Sequence, residues 1–447
     1  MATCGALLRS LRRPSYRYLT VTFARPFYSK VPFGGFAENV METIKRQTKA
    51  EFDGHIGIHF GATNIRVAVM EGKSAKVIVD SPAVMALEVD TDTDTFGADA
   101  KLCARTHPTT TIFGIQRLLG RKFDDPLIQK EMKMVPYKIV KEPKGDAWLE
   151  VNGKQFPPTP VSSLILANMK EIAESYIGKS VSKAILTIPR EISHAQSKEI
   201  LKAGGGAGLD RIIAINEPFA AVISSGMINK KRLIAVFDLG GRKFNVSILR
   251  MSKGCLDIIS EKHDAFLGGE DFDNVIMEYL SNEFKRIEGI DMPEGRLIAI
   301  RQVAEQGKIQ LSSFSGMVFD LTYAVDDSDK KHVYITLMRS KFEHLVNHLI
   351  ERIRYLCESC LKGAGLTAKD VDEVLLVGGM ARVPKVQEVV ADIFGRSPRS
   401  GVNPDEAAAL GAAAAIQAGW FGGDVWENFP KNVTFPNVDS ETKVEFA

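Results

Sequence analysis

The sequence predicts an α/β fold built as two similar lobes facing one cleft. Short β-rich runs such as "HIGIHF", "IRVAVME", "AILTIP", "LIAVFDLG" and "EVLLVGG" alternate with helical stretches such as "VSSLILANMKEIAESYIG", "DFDNVIMEYLSNEFKRIE" and "VPKVQEVVADIFG". Strands and helices in turn indicate an α/β protein. A strand–glycine turn–strand unit occurs twice, at Ile56 to Val69 ("IGIHFGATNIRVAV") and about 180 residues later at Phe237 to Leu249 ("FDLGGRKFNVSIL"). A chain of 447 residues is too long for one simple core and implies two or more domains.

The elements follow in order. The first thirty residues carry Arg9, Arg12, Arg13, Arg17 and Arg25, several hydroxyls, and no acid before Glu38. That is the composition of a transit peptide, mitochondrial in preference to chloroplast; a disordered basic tail would share it. Residues up to about 50 are therefore set apart from the fold. Each glycine-turn hairpin bares backbone N–H groups and can cradle an anion, as an ordinary sheet hairpin would also look. Neither is a Walker-type loop, since no G-x-x-x-x-G-K-[ST] occurs. The long helix "RSKFEHLVNHLIERIRYLCESCLKGAG" carries Cys357 and Cys360, without the second pair that a zinc site needs. The alanine-rich "EAAALGAAAAIQAG" reads as a buried helix, too short for the roughly 18–20 residues that span a bilayer.

Composition excludes other classes. Hydrophobic residues at 45% and charged residues at 25% are ordinary for a globular protein. The net charge of +2 gives no polyelectrolyte signal for nucleic acid. Five cysteines in this length argue against a disulfide framework, and the eight histidines show no metal-ligand spacing, so no metal site is expected.

From about Gly54 to Val425 the chain resembles the nucleotide-binding domain of the 70-kDa heat-shock chaperone family, specifically its mitochondrial branch. The residues that carry this are "RLLGRKFDDP", "KEMKMVPYKIVKEPKGDAWLEVNG", "INEPFAA", "FLGGEDFDN", "DVDEVLLVGGMARVPKVQEVV" and "VNPDEAAALGAA", long segments in the family's order. The resemblance implies the actin-like (ribonuclease-H-like) ATPase fold, two lobes of two subdomains around a nucleotide cleft. On that pattern lobe I runs 51–231, with a small subdomain at about 90–160. Lobe II runs 232–424, with a small subdomain at about 273–350, and 425–447 is a remnant tail with no peptide-binding domain.

The resemblance carries over an adenosine side that looks intact. Glu305, Lys308 and Ser312 in "AEQGKIQLSS" fall on one helical face, and match the acid, lysine and serine that the family turns to ribose and adenine. Gly378, Gly379 and Arg382 in "LVGGMARVP", Gly268 and Gly269 in "FLGGEDFD", and Asp405 in "VNPDE" match further contacts. Gly61, Thr63 and Asn64 of the first hairpin, and Gly240, Gly241 and Lys243 of the second, complete the expected nucleotide contacts.

The chemical side departs from the family pattern. His59 stands at the magnesium-organising aspartate, Ala62 at a threonine, and Gln116 at the catalytic lysine. In the second hairpin Asp238 matches, but Arg242 stands at a glycine, Lys243 at a hydroxyl residue and Asn245 at an aspartate. Glu217 in "INEP" matches the acid that helps to place the attacking water. Glu217 and Asp238 are thus the retained catalytic candidates. Phosphoryl transfer is mostly positioning and charge stabilisation, so loss of the metal-organising acid and the catalytic cation predicts impaired hydrolysis. The substitutions make the cleft about three charges more positive than the family's. Weakened ATP or ADP binding, independent of magnesium and with Lys243 meeting the phosphates, is expected; Arg242 blocking the phosphate space is the opposing expectation. Ile213 and Ser197 replace arginines that the family uses in signalling to its partners.

The function expected is an adenine-nucleotide-binding or regulatory module of the mitochondrial matrix. A nucleotide-exchange factor or another mitochondrial protein is a candidate partner; nucleic acid, a membrane span and peptide clients are not expected. The alternatives are an active ATP-dependent chaperone, and a small-molecule kinase of the same fold class, for which no catalytic motif is found.

Overall fold

The structure, a computed structural model, describes residues 54–87, 94–227, 231–252, 255–293, 296–321, 333–399 and 403–417. All of these fall in one compact unit, Phe52–Ala447. The basic N-terminal segment, much of the acidic stretch before Phe96 and the tail at 425–447 lie outside the described residues.

Two sheets built to one plan organise the fold. In the first, β1 (His55–Phe60), β2 (Asn64–Glu71) and β3 (Ser74–Pro82) form an antiparallel meander, and β4 (Lys183–Ile188) and β5 (Arg211–Asn216) extend it in parallel from β1. In the second, β6 (Arg232–Leu239), β7 (Phe244–Ser252) and β8 (Cys255–Asp264) repeat the meander, and β9 (Glu373–Val377) runs parallel to β6. The repeated hairpin in the sequence is therefore the first hairpin of each sheet.

Helices cover these sheets. They are α1 (Pro126–Glu131), α2 (Pro158–Ile177), α3 (His194–Gly206), α4 (Glu217–Ser224), α5 (Gly269–Glu288), α6 (Leu297–Leu311), α7 (Asn347–Gly363), α8 (Pro384–Phe394) and α9 (Ala407–Gln417). Helix α3 starts where its sequence says it should: the Ser193 hydroxyl accepts from the Gln196 backbone N–H, and the Gln196 side chain accepts from the Ser193 N–H. That reciprocal pair satisfies two donors that a helix start otherwise leaves open. Small sheets, among them the hairpin of Gly316–Asp320 with Tyr334–Met338, sit on the two halves.

The apolar run of β6 is explained by burial on both faces. Ile234 and Val236 point into a core shared with Phe219, Ile185 and Ala412, while Ala235, Phe237 and Leu239 point into a second core with Phe244, Phe272 and Ile276. Alternate strand residues face opposite sides, so a strand covered twice reads as a continuous hydrophobic stretch. Cys357 and Cys360 of α7 are buried in that second core, as structural residues.

Helix α9 corrects the expected division of the chain. The pattern placed it with the second lobe, but it packs on α4 and on β1, β2, β3 and β4 of the first sheet. Small side chains permit this. A Cβ at Gly57 would collide with the backbone of Ala413, and one at Gly411 would collide with the Ala220 carbonyl. Dispersion and burial both favour such close approach, and only glycine and alanine allow it.

This packing makes a stability prediction. Gly57→Ala and Gly411→Ala should each destabilise the fold by about 3 kcal/mol, since the space is already full. Gly205→Ala, in α3 with nothing near the added methyl, should stabilise by about 0.5–1 kcal/mol. Urea unfolding of the three variants checks both signs.

Candidate functional site

A cavity of about 850 Å³ opens between the two hairpins and is walled by α6 and the loops around β9. The β1–β2 turn brings His59, Gly61, Thr63 and Asn64, and the β6–β7 turn brings Asp238, Gly240, Gly241 and Lys243. Gln116 and Glu217 line the same end. Glu305, Lys308 and Ser312 line it from α6, while Gly269, Gly378, Gly379, Arg382 and Asp405 complete the far side. One expected contact, Gly268, does not line the cavity, and neither does Asn245, which replaces the family's aspartate. Gly268 packs against the Gly241–Arg242 backbone, where a Cβ would stand 2.6 Å from the Arg242 nitrogen. Asn245 is buried in the sheet, its amide donating to Glu261 at 3.0 Å and accepting from Ser247 at 2.9 Å.

On the α6 side the three aligned residues hold each other and the opposite wall. The Lys308 ammonium is buried, 2.9 Å from Asp273 and 2.9 Å from the Gly269 carbonyl. Ser312 donates to the Lys308 carbonyl, and Glu305 pairs with Lys101 at 2.6 Å. Arg382 stays half exposed, its planar group held by Asp405 at 2.6 Å.

At the hairpin end the charges are consumed internally. Lys243 lies 2.6 Å from Glu217 and 3.5 Å from Glu191. Burial would lower its ammonium, but Glu191, Glu217 and Asp238 outweigh that and hold it above its ordinary range. Lys243 is therefore not the free cation that the sequence reading expected. His59 is pushed down to about 4, chiefly by burial, so it is neutral at physiological pH. Its ring bonds Thr187 at 2.8 Å. Asp238 is pushed up to about 7, first by burial and then by the Glu217 charge. Gln116 donates to the Gly61 carbonyl.

Arg242 does not fill the cavity as a free group either. Its guanidinium reaches into the first half, 2.6 Å from the fully buried Glu131 of α1 and 3.2 Å from Glu270. Arg117 holds the other oxygen of Glu131 at 2.8 Å. The ring of Phe113 lies beside the Arg242 guanidinium, and Phe266 of the second half takes Arg117 and Lys130 on its ring. Glu131, Glu191 and Glu270 were missed from the sequence. Each lies far in sequence from its cation; Glu131 and Glu270 stood in the quoted segments "KEMKMVPYK" and "FLGGEDFDN", with nothing there to show their partners, and Glu191 stood in none.

Two predictions follow from these groups. A buried ion pair that loses one partner typically costs about 3–5 kcal/mol; Glu131→Gln, which strands two buried arginines, should lose stability of that order in urea unfolding. The second concerns pH. Asp238, raised from 3.8 to about 7, favours folding fully below pH 3.8 and loses that contribution as pH rises through 7. His59, lowered from 6.5 to about 4, favours folding above pH 6.5 and loses that contribution as pH falls through 4. The two largely offset between pH 4 and 6.5. Asp238→Asn should therefore expose a stability that rises with pH over this window, and His59→Asn one that falls; melting temperature against pH distinguishes them.

Comparison with known proteins places this geometry. The family described as Hsp70 protein matches residues 55–437. The mitochondrial heat shock 70 kDa protein of Solanum tuberosum is 50% identical over 448 residues, covering 97% of this chain and 65% of that protein. Its namesake from Pisum sativum is 48% identical over 449 residues, covering 98% of this chain and 66% of that protein. The chain thus spans just under two thirds of the length of these relatives. Among the described residues no helix is long and apolar enough to cross a membrane. The match over most of its length makes the chain a member of the Hsp70 family, and its paired sheets around a cleft are the actin-like fold of that family's nucleotide-binding domain.

Proposed function

We propose that this chain binds an adenine nucleotide in its cleft, hydrolyses it poorly, and acts as a binding or regulatory module in the mitochondrial matrix. The adenosine side supports binding, since Glu305, Lys308 and Ser312 on one side and Arg382 on the other line a cavity large enough for such a ligand. One observation carries the loss of hydrolysis. The acid that the family uses to place the attacking water, Glu217, is engaged by the Lys243 ammonium at 2.6 Å. Gln116 supplies an amide where the family has its catalytic cation.

The residues present do not fit magnesium. The ion takes ionised oxygen donors in octahedral geometry. Here Asp238 is half protonated near neutral pH, Glu217 holds a lysine, and His59 bonds a threonine. The mitochondrial location rests on the basic leader and on the names of the two plant relatives. A nucleotide-exchange factor or another mitochondrial protein is the partner class that suits a regulatory module.

A second reading, an active ATP-dependent chaperone in folding or import, is favoured by the 50% identity to a mitochondrial heat-shock protein. One assay separates them. Steady-state phosphate release should fall below that of an intact family member by at least about 100-fold, the usual cost of losing a preorganised electrostatic group. Gln116→Lys alone should not restore it. Turnover at the level of an intact relative would establish the second reading instead.

A further inference from the structure

We propose that the cleft selects adenosine ligands carrying at most one phosphate over the diphosphate and triphosphate. This rests on the adenine-nucleotide reading above and concerns the hairpin end of the same cavity.

The two turns line one cavity but approach each other closely at one point. Thr63 of the first hairpin lies so close to Gly241 of the second that any Cβ at 241 would collide with its side chain. There the Thr63 side chain narrows the space in which the two tips could cradle a chain of phosphates.

The charges at this end oppose a polyanion. Lys243 lines the cavity but is shared between Glu217 and Glu191. Arg242 is committed to Glu131 and Glu270. The carboxyl groups of Glu191, Glu217 and the half-protonated Asp238 line the same end, so the Lys243 ammonium is outnumbered by the acids beside it. A β- or γ-phosphate would have to displace an existing carboxylate from its cation or lie against it uncompensated, and uncompensated like charges in a partly buried site are costly.

The opposite end suits a nucleoside. Arg382 offers a half-exposed planar guanidinium tethered by Asp405, and Ile309 offers an exposed apolar side chain across the cavity. A base can stack on such groups, and Glu305 can accept from a ribose hydroxyl. Affinity then comes from base and sugar, and each added phosphate subtracts from it.

Calorimetry of the full chain with adenosine, AMP, ADP and ATP, each with and without magnesium, tests this. Adenosine and AMP should bind within a few-fold of each other, and ATP at least about tenfold more weakly than AMP, as like-charge juxtaposition requires. Glu191→Gln removes one of the three acids, nearly without change of shape, and should raise the ratio of ATP to adenosine affinity. Unfolding of this variant is checked by its melting curve, and the ligand series on the parent chain stands without it. ADP or ATP binding more tightly than AMP, or an unchanged ratio in a folded Glu191→Gln chain, would overturn the inference while leaving the adenine site in place. Binding of none of the four ligands would overturn the adenine reading itself, and the inference with it.

Discussion

The buried ion pair between Arg242 and Glu131 is the interaction on which the rest of the cleft depends. Arg242 sits at the tip of the second sheet's hairpin, and Glu131 at the end of a short helix of the first half. Both side chains are almost wholly removed from water, so neither charge can be left alone. Desolvation of each is tolerable only because the partner is within 3 Å and because Arg117 takes the other carboxylate oxygen. This arrangement fixes the approach of the two halves at the hairpin end. It also sets what remains there for a ligand, since the Arg242 guanidinium is spent on a carboxylate and does not face an anion.

The same logic governs the neighbouring charges. Each basic side chain added at the second hairpin finds an acid from elsewhere in the fold: Glu131 and Glu270 for Arg242, Glu191 and Glu217 for Lys243. His59 is held neutral by burial. A count of side chains in the sequence makes the cleft strongly positive; pairing makes it close to balanced, with acids in excess beside Lys243. On the proposed reading, a site whose Glu217 is held by a lysine keeps the surface for a nucleoside and handles a phosphate chain poorly.

Much of the fold was legible from sequence because its signals are local. Alternation of strands and helices, the duplicated hairpin and the long matching segments all survive as linear patterns. The duplicated hairpins became the first two strands of two sheets with one plan, and the nucleotide-side residues Glu305, Lys308 and Ser312 line the cavity from one helix. What was not legible depends on distance. Helix α9 returns to the first sheet because Gly57 and Gly411 leave room for it, which no periodicity encodes. Gly268 has no room for a side chain because the Gly241–Arg242 backbone crosses it.

The sequence by itself determined the family, the two-sheet architecture and which residue types stand around the cleft. Those are properties of motif order and hydrophobic period, read along the chain. Only the tertiary structure decided what the charged residues are worth. Lys243 and Glu191 are 52 residues apart, and Arg242 and Glu131 are farther still. Whether an ammonium meets a phosphate or a carboxylate is settled by folding, because the strength of a charge interaction falls with distance and rises with burial, and both exist only once the chain has closed on itself.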